Sequence, residues 1–135
     1  MVVALHNAAT WFMTGLIWTI QLVHYPMFSM LRESTFRESH RRHARRITWI
    51  VGPAMILEMA TALSLFIERA PGDPAAVAGL SLVAVIWIVT GFVIVPIHGR
   101  LQRGPDPALV VSLVRWNWIR TAAWSVRGAI CLLCL

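Results

Sequence analysis

The 135-residue chain is 58% hydrophobic and only 13% charged, with twelve basic side chains, six acidic ones and a net charge of +6. Soluble domains usually have about a quarter of their residues charged, so this composition excludes an ordinary soluble domain. All the basic residues are arginines. On a membrane protein, such an excess of arginine first bears on how the chain is oriented in the membrane and on contact with anionic lipid, rather than on binding of nucleic acid.

Hydrophobic segments follow one another along the whole chain. They cover about residues 3–28, 47–67, 76–97 and 107–135. No Asp, Glu, Lys or Arg occurs before Arg32, or between Ala75 and Ile97, and apolar runs of this length are typical of membrane-spanning helices. Because helices satisfy their own backbone hydrogen bonds in lipid, we predict an all-α membrane protein, a single domain built as a four-transmembrane-helix bundle.

The segments that connect these spans differ in charge. A basic amphipathic loop at 29–46 and the connection at 98–106 carry arginines, whereas the connection at 68–76 is a Pro/Gly turn with little net charge. Since basic loops remain in the cytoplasm, both termini are predicted on the periplasmic side. The expected location is a bacterial inner membrane, which the chain would cross several times.

Polar side chains recur at helical spacing along the first segment. They are Asn7, Thr10, Thr14, Gln21 and His24. A helix that faces lipid has no use for such a stripe, so this face should point into the bundle. Hydrogen bonding between helices and a binding site that includes Gln21 and His24 both stay open. Tyr25 lies one residue off the stripe and is predicted to be an interfacial anchor.

A single carboxylate, Glu58, falls near the middle of the second segment, where it is costly unless paired or protonated. In the fourth segment Asn117, Arg120, Trp124 and Arg127 share one helical stripe. At about 1.5 Å per residue, Arg120 has a depth similar to that of Glu58, so we predict a buried Glu58–Arg120 pair with Asn117 beside it. Either this pair is a structural staple, or Glu58, Asn117 and Arg120 are catalytic and orient a substrate carbonyl or phenolate.

Four of the five histidines, His24, His40, His43 and His98, come to the predicted cytoplasmic side. His40 and His43 are three residues apart and therefore face the same way on a helix. This arrangement predicts that all four bind a metal such as iron, copper or zinc. A haem b held by His24, His98 and Gln21 is a second possibility. A cofactor-free site with histidine as proton acceptor, and a headgroup-binding segment with incidental histidines, stay open.

Several motifs with a known mechanism are missing from the sequence. It contains no phosphate-binding loop, no dinucleotide-binding glycine motif and no serine-hydrolase elbow. Four short spans also leave little room for a transporter built from inverted repeats. Cys131 and Cys134 form a CxxC pattern without a second pair, and we interpret them as small apolar residues of a terminal helix.

The stretch VPIHGRL (95–101), followed by WNWIRTAAW (116–124), resembles the small four-helix membrane proteins of the anthrone-oxygenase-like family. The matching residues are Pro96, His98 and Leu101 in a turn and Trp116, Asn117, Arg120 and Thr121 in the last helix. The resemblance covers about the C-terminal third of the chain. It implies oxygenation without a cofactor, which needs only a base and a donor that stabilises an enolate-like anion.

The stretches WFMTGLIWTIQLVHYPMF (11–28) and ITWIVGPAMILEMATALSL (47–65) resemble the first two helices of HemJ-type protoporphyrinogen oxidases. Those enzymes are similarly small, bind haem and carry a lysine in a later helix, whereas this chain has no lysine. Both resemblances imply a membrane oxidoreductase that acts on a flat, lipophilic, oxidisable molecule.

Together these features predict a small oxidoreductase or oxygenase that acts on a lipophilic aromatic or quinone-type molecule in a histidine-rich polar pocket. A non-catalytic accessory subunit of a membrane complex, anchored by its tryptophans, is the main alternative. An anionic-lipid-binding module is another. The expected partners are the lipid bilayer, a lipophilic small molecule, and other membrane subunits or further copies of the chain.

Overall fold

The computed structural model describes residues 1–69 and 72–133, and it is helical through most of them. Helix α1 is α-helical over Val2–Thr19, takes a π-turn at Ile20–His24, and ends in the short turns Tyr25–Met27 and Phe28–Met30. The other helices are α2 over Glu33–Arg69, α3 over Pro74–Leu101 and α4 over Pro107–Leu133. Cys131 is buried on α4, while Cys134 lies outside the described residues.

Each helix packs against two others: α1 on α2 and α4, and α3 on α2 and α4. This pattern is that of an up-and-down four-helix bundle. Its core runs through apolar side chains such as Met13, Ile17, Phe36, Leu113 and Trp124, all of them fully or almost fully buried. The predicted all-α fold is confirmed. Two of the helices, α2 and α3, are long and apolar enough to cross a membrane.

The segment predicted as a basic loop at 29–46 is helical from Glu33 onward, because α2 begins there and continues without a break to Arg69. The prediction of a loop is therefore wrong for most of this segment. It contains no Pro or Gly, and Glu38 forms ion pairs with Arg41 and Arg42 one turn later, at 2.7 and 3.1 Å. Such pairs support a helix, and Phe36 on its inner face is buried in the core.

Helices α1 and α3 share a local departure from α-helical geometry. Each contains a π-turn, and in each the residue that follows the turn precedes a proline, Pro26 or Pro96. The Tyr25 N–H donates to the Ile20 carbonyl, and the Val95 N–H donates to the Thr90 carbonyl. Proline has no N–H, and its ring crowds the backbone carbonyl one turn earlier. Because a π-turn adds one residue to that turn, it relieves the crowding.

The N-terminus of α3 is capped by Asp73, whose carboxylate accepts hydrogen bonds from the backbone N–H groups of Ala75 and Ala76 at 2.9 and 3.3 Å. Pro74 occupies the first helical position, where a missing N–H costs nothing. We expect Asp73→Ala to lower the free energy of unfolding by about 1 kcal/mol, the usual effect of losing such a cap. A denaturation curve of the detergent-solubilised protein measures this change, and an unchanged midpoint would contradict it.

Candidate functional site

The four histidines that were predicted to converge do lie together at one end of the bundle. The rings of His24 and His43 are 4.2 Å apart, and those of His40 and His98 are 5.1 Å apart. Phe28 packs edge-on against His40 and His43, with ring centroids 5.0 and 5.2 Å away. We call His24, His40, His43 and His98 the histidine cluster. Helices α1, α2 and α3 all contribute to it.

Tyr25 belongs to this site, although it was predicted to be an interfacial anchor. Its side chain is buried, and its hydroxyl lies 3.1 Å from Nε2 of His98. The prediction is wrong because Tyr25 lies four residues after Gln21, about one helical turn, and therefore shares its buried face. His24 is half-buried.

Tyr25, His98 and His40 form a hydrogen-bonded chain. Nδ1 of His98 lies 2.9 Å from Nε2 of His40, so His98 contacts Tyr25 through one ring nitrogen and His40 through the other. Imidazole can accept a proton on one nitrogen and release one from the other. The arrangement can therefore relay a proton from the Tyr25 hydroxyl to His40, and we call it the Tyr25–His98–His40 relay.

His40 and His43 precede the apolar part of α2. Burial lowers the pKa of His40, and burial together with the nearby His24 and His40 lowers the pKa of His43 to about 4. Both imidazoles are therefore neutral near pH 7, which is the form that accepts a proton. Among the described residues, His40 Nδ1 and His43 Nε2 have no hydrogen-bond partner.

The cluster was also predicted to bind a metal through all four histidines. Within residues 1–69 and 72–133, no group of three or more His, Cys, Asp or Glu side chains is arranged to hold a metal ion. The facing nitrogens of His40 and His98 lie 2.9 Å apart, within hydrogen-bond distance of each other. Gln21, predicted to bind haem with His24 and His98, has its carbonyl oxygen hydrogen-bonded to Asn117 and Thr121 on α4. The metal and haem sites stay predictions.

A surface groove between α2 and α3 leads to the cluster, since His98 forms part of its wall. Its other residues combine charge with an aromatic surface, and they include Arg41, Arg45, Trp49 and Gln102. Trp49 is 77% exposed. We call this feature the basic groove. It can accept a molecule with a flat apolar body and a polar or anionic end.

Glu58 is buried as predicted, but its cationic partner is Arg127 rather than Arg120. Arg127 Nε lies 3.1 Å from Glu58 Oε1, and both side chains are almost fully buried. Thr10 donates to the same oxygen at 2.9 Å, and the Trp124 indole N–H donates to Oε2 at 2.8 Å. Arg127 also donates to the Gly79 carbonyl on α3. This Glu58 network therefore ties all four helices together.

The predicted Glu58–Arg120 pair is wrong because depth along α2 was counted from Ile47. Phe36 and Pro107 line the same surface pocket, so the start of α4 is level with Phe36 instead. Glu58 lies 22 residues beyond Phe36, and Arg127 lies 20 residues beyond Pro107. The two side chains therefore meet at the same height.

Arg120 belongs to a separate network with Gln21 and Asn117. Its guanidinium donates to Asn117 Oδ1 at 3.0 Å, and the Asn117 amide donates to Gln21 Oε1 at 2.8 Å. The predicted proximity of Asn117 and Arg120 is thus confirmed. The guanidinium also lies over the Trp124 ring, 5.2 Å from its centroid, and the Tyr25 hydroxyl lies close to it. This contact brings Arg120 to the inner end of the relay.

Sequence reasoning gave Tyr25 and His6 no part in the polar core. His6 Nδ1 lies 2.9 Å from the Thr61 hydroxyl, next to the Glu58 network. Spacing was the available signal for His6, because it lies four residues before Thr10 on a helix whose inner face is polar. For Tyr25 the following Pro26 was a signal, because a proline within a helix disturbs the turn before it.

Comparison with known protein families, curated proteins and solved structures finds no match to this chain.

Proposed function

We propose that this chain is a four-span protein of the bacterial inner membrane, with both termini on the periplasmic side. In this proposal it acts as an oxidoreductase or oxygenase on a lipophilic aromatic or quinone-type molecule. The observation that carries the proposal is the Tyr25–His98–His40 relay, whose central residue lines the basic groove.

The groove supplies the contacts that such a molecule needs. The exposed Trp49 offers a flat apolar surface, and Arg41 and Arg45 attract a polar or anionic substituent. His98 lies at the wall of the groove, and the buried Tyr25 hydroxyl lies behind it. When the Tyr25 hydroxyl turns away from His98, Nε2 of this imidazole can take a proton from the bound molecule while Nδ1 passes its own proton to Nε2 of His40.

The reaction this arrangement supports is oxygenation of an activated methylene group by dioxygen. Loss of a proton to the relay leaves an enolate, whose carbon then bonds to dioxygen as electrons pass to the oxygen atoms. The peroxide takes the proton back from the relay, loses water and leaves a ketone. In total, the methylene compound and dioxygen give the ketone and one water, so all four electrons lost by carbon are accepted by oxygen.

The test is oxygen uptake by the detergent-purified protein with anthrone as the probe substrate. We expect His98→Gln and His40→Gln each to lower the rate by about 100-fold or more, because positioned bases usually contribute 10²- to 10⁴-fold. His6→Gln is the matched control, since His6 lies in the Glu58 network, and it should leave the rate unchanged. Equal rates for all three variants and the wild type would overturn the proposal.

A resident cofactor would change how the substrate is oxidised, so the absorption spectrum and metal content of the purified protein belong to the same experiment. A Soret band would establish haem, and stoichiometric iron, copper or zinc would establish a metal centre. Either result would assign the histidine cluster to ligation. It would show that the relay alone does not account for the oxidation.

A non-catalytic accessory subunit of a membrane complex is the second candidate. It is favoured by the tryptophans, since six of the seven are exposed on the outside of the bundle. They are Trp11, Trp18, Trp49, Trp87, Trp116 and Trp118. In this role, the Glu58 network is a structural staple between helices. Absence of oxygen uptake, together with co-purification of one partner in fixed stoichiometry, would favour this function over the first.

A further inference from the structure

Arg120 is a buried cation without a counter-ion. Its side chain is only 3% exposed, and no carboxylate within residues 1–69 and 72–133 lies within ion-pair distance of it. The contrast with Arg127 is informative, because Arg127 is equally buried but bonded to Glu58. An uncompensated charge in an apolar interior is destabilising by several kcal/mol, so a neutral residue would suit a purely structural role better.

The guanidinium also has unused hydrogen-bonding capacity. One of its terminal nitrogens donates to Asn117, whereas Nε has no acceptor in the described part of the chain. Buried N–H groups almost always have a partner. The missing partner is an acceptor, and the missing counter-charge is negative, so a single anionic oxygen would satisfy both requirements.

The surroundings indicate what kind of molecule carries that oxygen. Arg120 faces the Trp124 ring and lies close to the Tyr25 hydroxyl, which is itself hydrogen-bonded to His98 of the basic groove. A ligand in this region of the bundle must be largely apolar to leave water. Delocalised organic anions such as enolates, phenolates and carboxylates combine an apolar body with a charge that arginine binds well.

We propose that Arg120 binds the anionic oxygen of a lipophilic organic acid at the inner end of the Tyr25–His98–His40 relay. This inference rests on the proposed site but not on the proposed reaction, because it concerns binding alone. If the reaction also occurs, Arg120 is the group that stabilises the enolate after the relay has taken its proton.

A matched pair of probes tests the proposal. At neutral pH 2-hydroxy-1,4-naphthoquinone is ionised, whereas its 2-methoxy ether cannot ionise. Both quench tryptophan fluorescence, so their dissociation constants can be measured with the full-length protein in detergent. We expect the hydroxy compound to bind about 10- to 100-fold more tightly, the range of a hydrogen bond to a charged group.

Variants then assign that preference to one residue. Arg120→Gln should abolish the preference for the ionised probe, and Arg120→Lys should keep part of it because the charge is retained. Arg115→Gln, at an exposed arginine of the same helix, should keep all of it. Circular dichroism is expected to show an intact bundle for Arg120→Gln, because this change removes an unpaired buried charge.

Competition with dodecanoate and its methyl ester distinguishes an aliphatic from an aromatic acid. Displacement of the probe by dodecanoate but not by the ester shows that the site also takes an aliphatic acid. Failure of both to displace it assigns the site to aromatic acids. Equal affinity of the wild type for the two naphthoquinones, or a preference that survives in Arg120→Gln, would overturn the proposal.

The outcome for binding can be separated from the outcome for catalysis. Arg120-dependent binding of the ionised probe without oxygen uptake from anthrone would leave the anion site standing and overturn the proposed reaction. Oxygen uptake that depends on His98, without any preference for the ionised probe, would overturn the anion site alone.

Discussion

Replacing Arg127 with methionine should lower the free energy of unfolding by about 3–5 kcal/mol, because it leaves a buried carboxylate without its cation. Glu58 would retain only the hydrogen bonds from Thr10 and Trp124, and the bond from Arg127 to the Gly79 carbonyl would also be lost. Titration with sodium dodecyl sulfate, followed by far-ultraviolet circular dichroism, measures the change.

The double variant Glu58→Gln/Arg127→Met is the informative control. It removes both charges, and replacement of a whole buried ion pair is often close to neutral, so we expect it to regain most of the lost stability. Arg115→Met changes an exposed arginine of the same helix and should alter stability by no more than about 0.5 kcal/mol. If Arg127→Met were as stable as Arg115→Met, the Glu58 network would not be a staple.

Trp124→Ala should be comparably destabilising, by about 3–5 kcal/mol, because it opens a cavity in place of a large buried side chain. Trp124 is fully buried, and its indole N–H donates to Glu58 at 2.8 Å. It also provides the ring over which Arg120 lies. The same detergent titration measures the loss of stability.

Two further substitutions show which property of Trp124 matters. Trp124→Phe keeps most of the volume but removes the N–H, so it should cost about 1–3 kcal/mol, the range for an unsatisfied buried polar group. Trp116→Ala truncates an exposed tryptophan of the same helix and should cost much less than either. An equal effect of Trp116→Ala and Trp124→Ala would contradict the buried role of Trp124.

Periodic features of the chain were predictable, because they depend only on local geometry. Asn117, Arg120, Trp124 and Arg127 recur at three- and four-residue spacing, and all four are buried as that spacing predicts. The convergence of the histidines was likewise predictable from the ends of the segments on which they lie. The two resemblances, the number of spans and the chemistry stay predictions.

Relations between helices were harder to predict, because they depend on where each helix starts relative to its neighbours. Glu58 pairs with Arg127 since α2 begins at Glu33, about four turns before the apolar segment that marked its predicted start. Tyr25, by contrast, was predictable from spacing, because it lies one helical turn after Gln21. Charge and hydropathy do not report where a helix starts relative to its neighbours.

The π-turns of α1 and α3 also define a simple route by which this end of the molecule can change during evolution. A π-turn contains one residue more than an α-helical turn, so deletion of a single codon within Ile20–His24 or Thr90–Ile94 would restore a regular helix. Because the π-turn holds its extra residue within one turn, the parts of the helix on either side of the deletion would keep nearly the same orientation. Descendants of one gene could thus gain or lose a residue at this end of the molecule while the faces below, with Thr10, Thr14 and Ile17, and the residues beyond, with Tyr25 and His98, kept their neighbours.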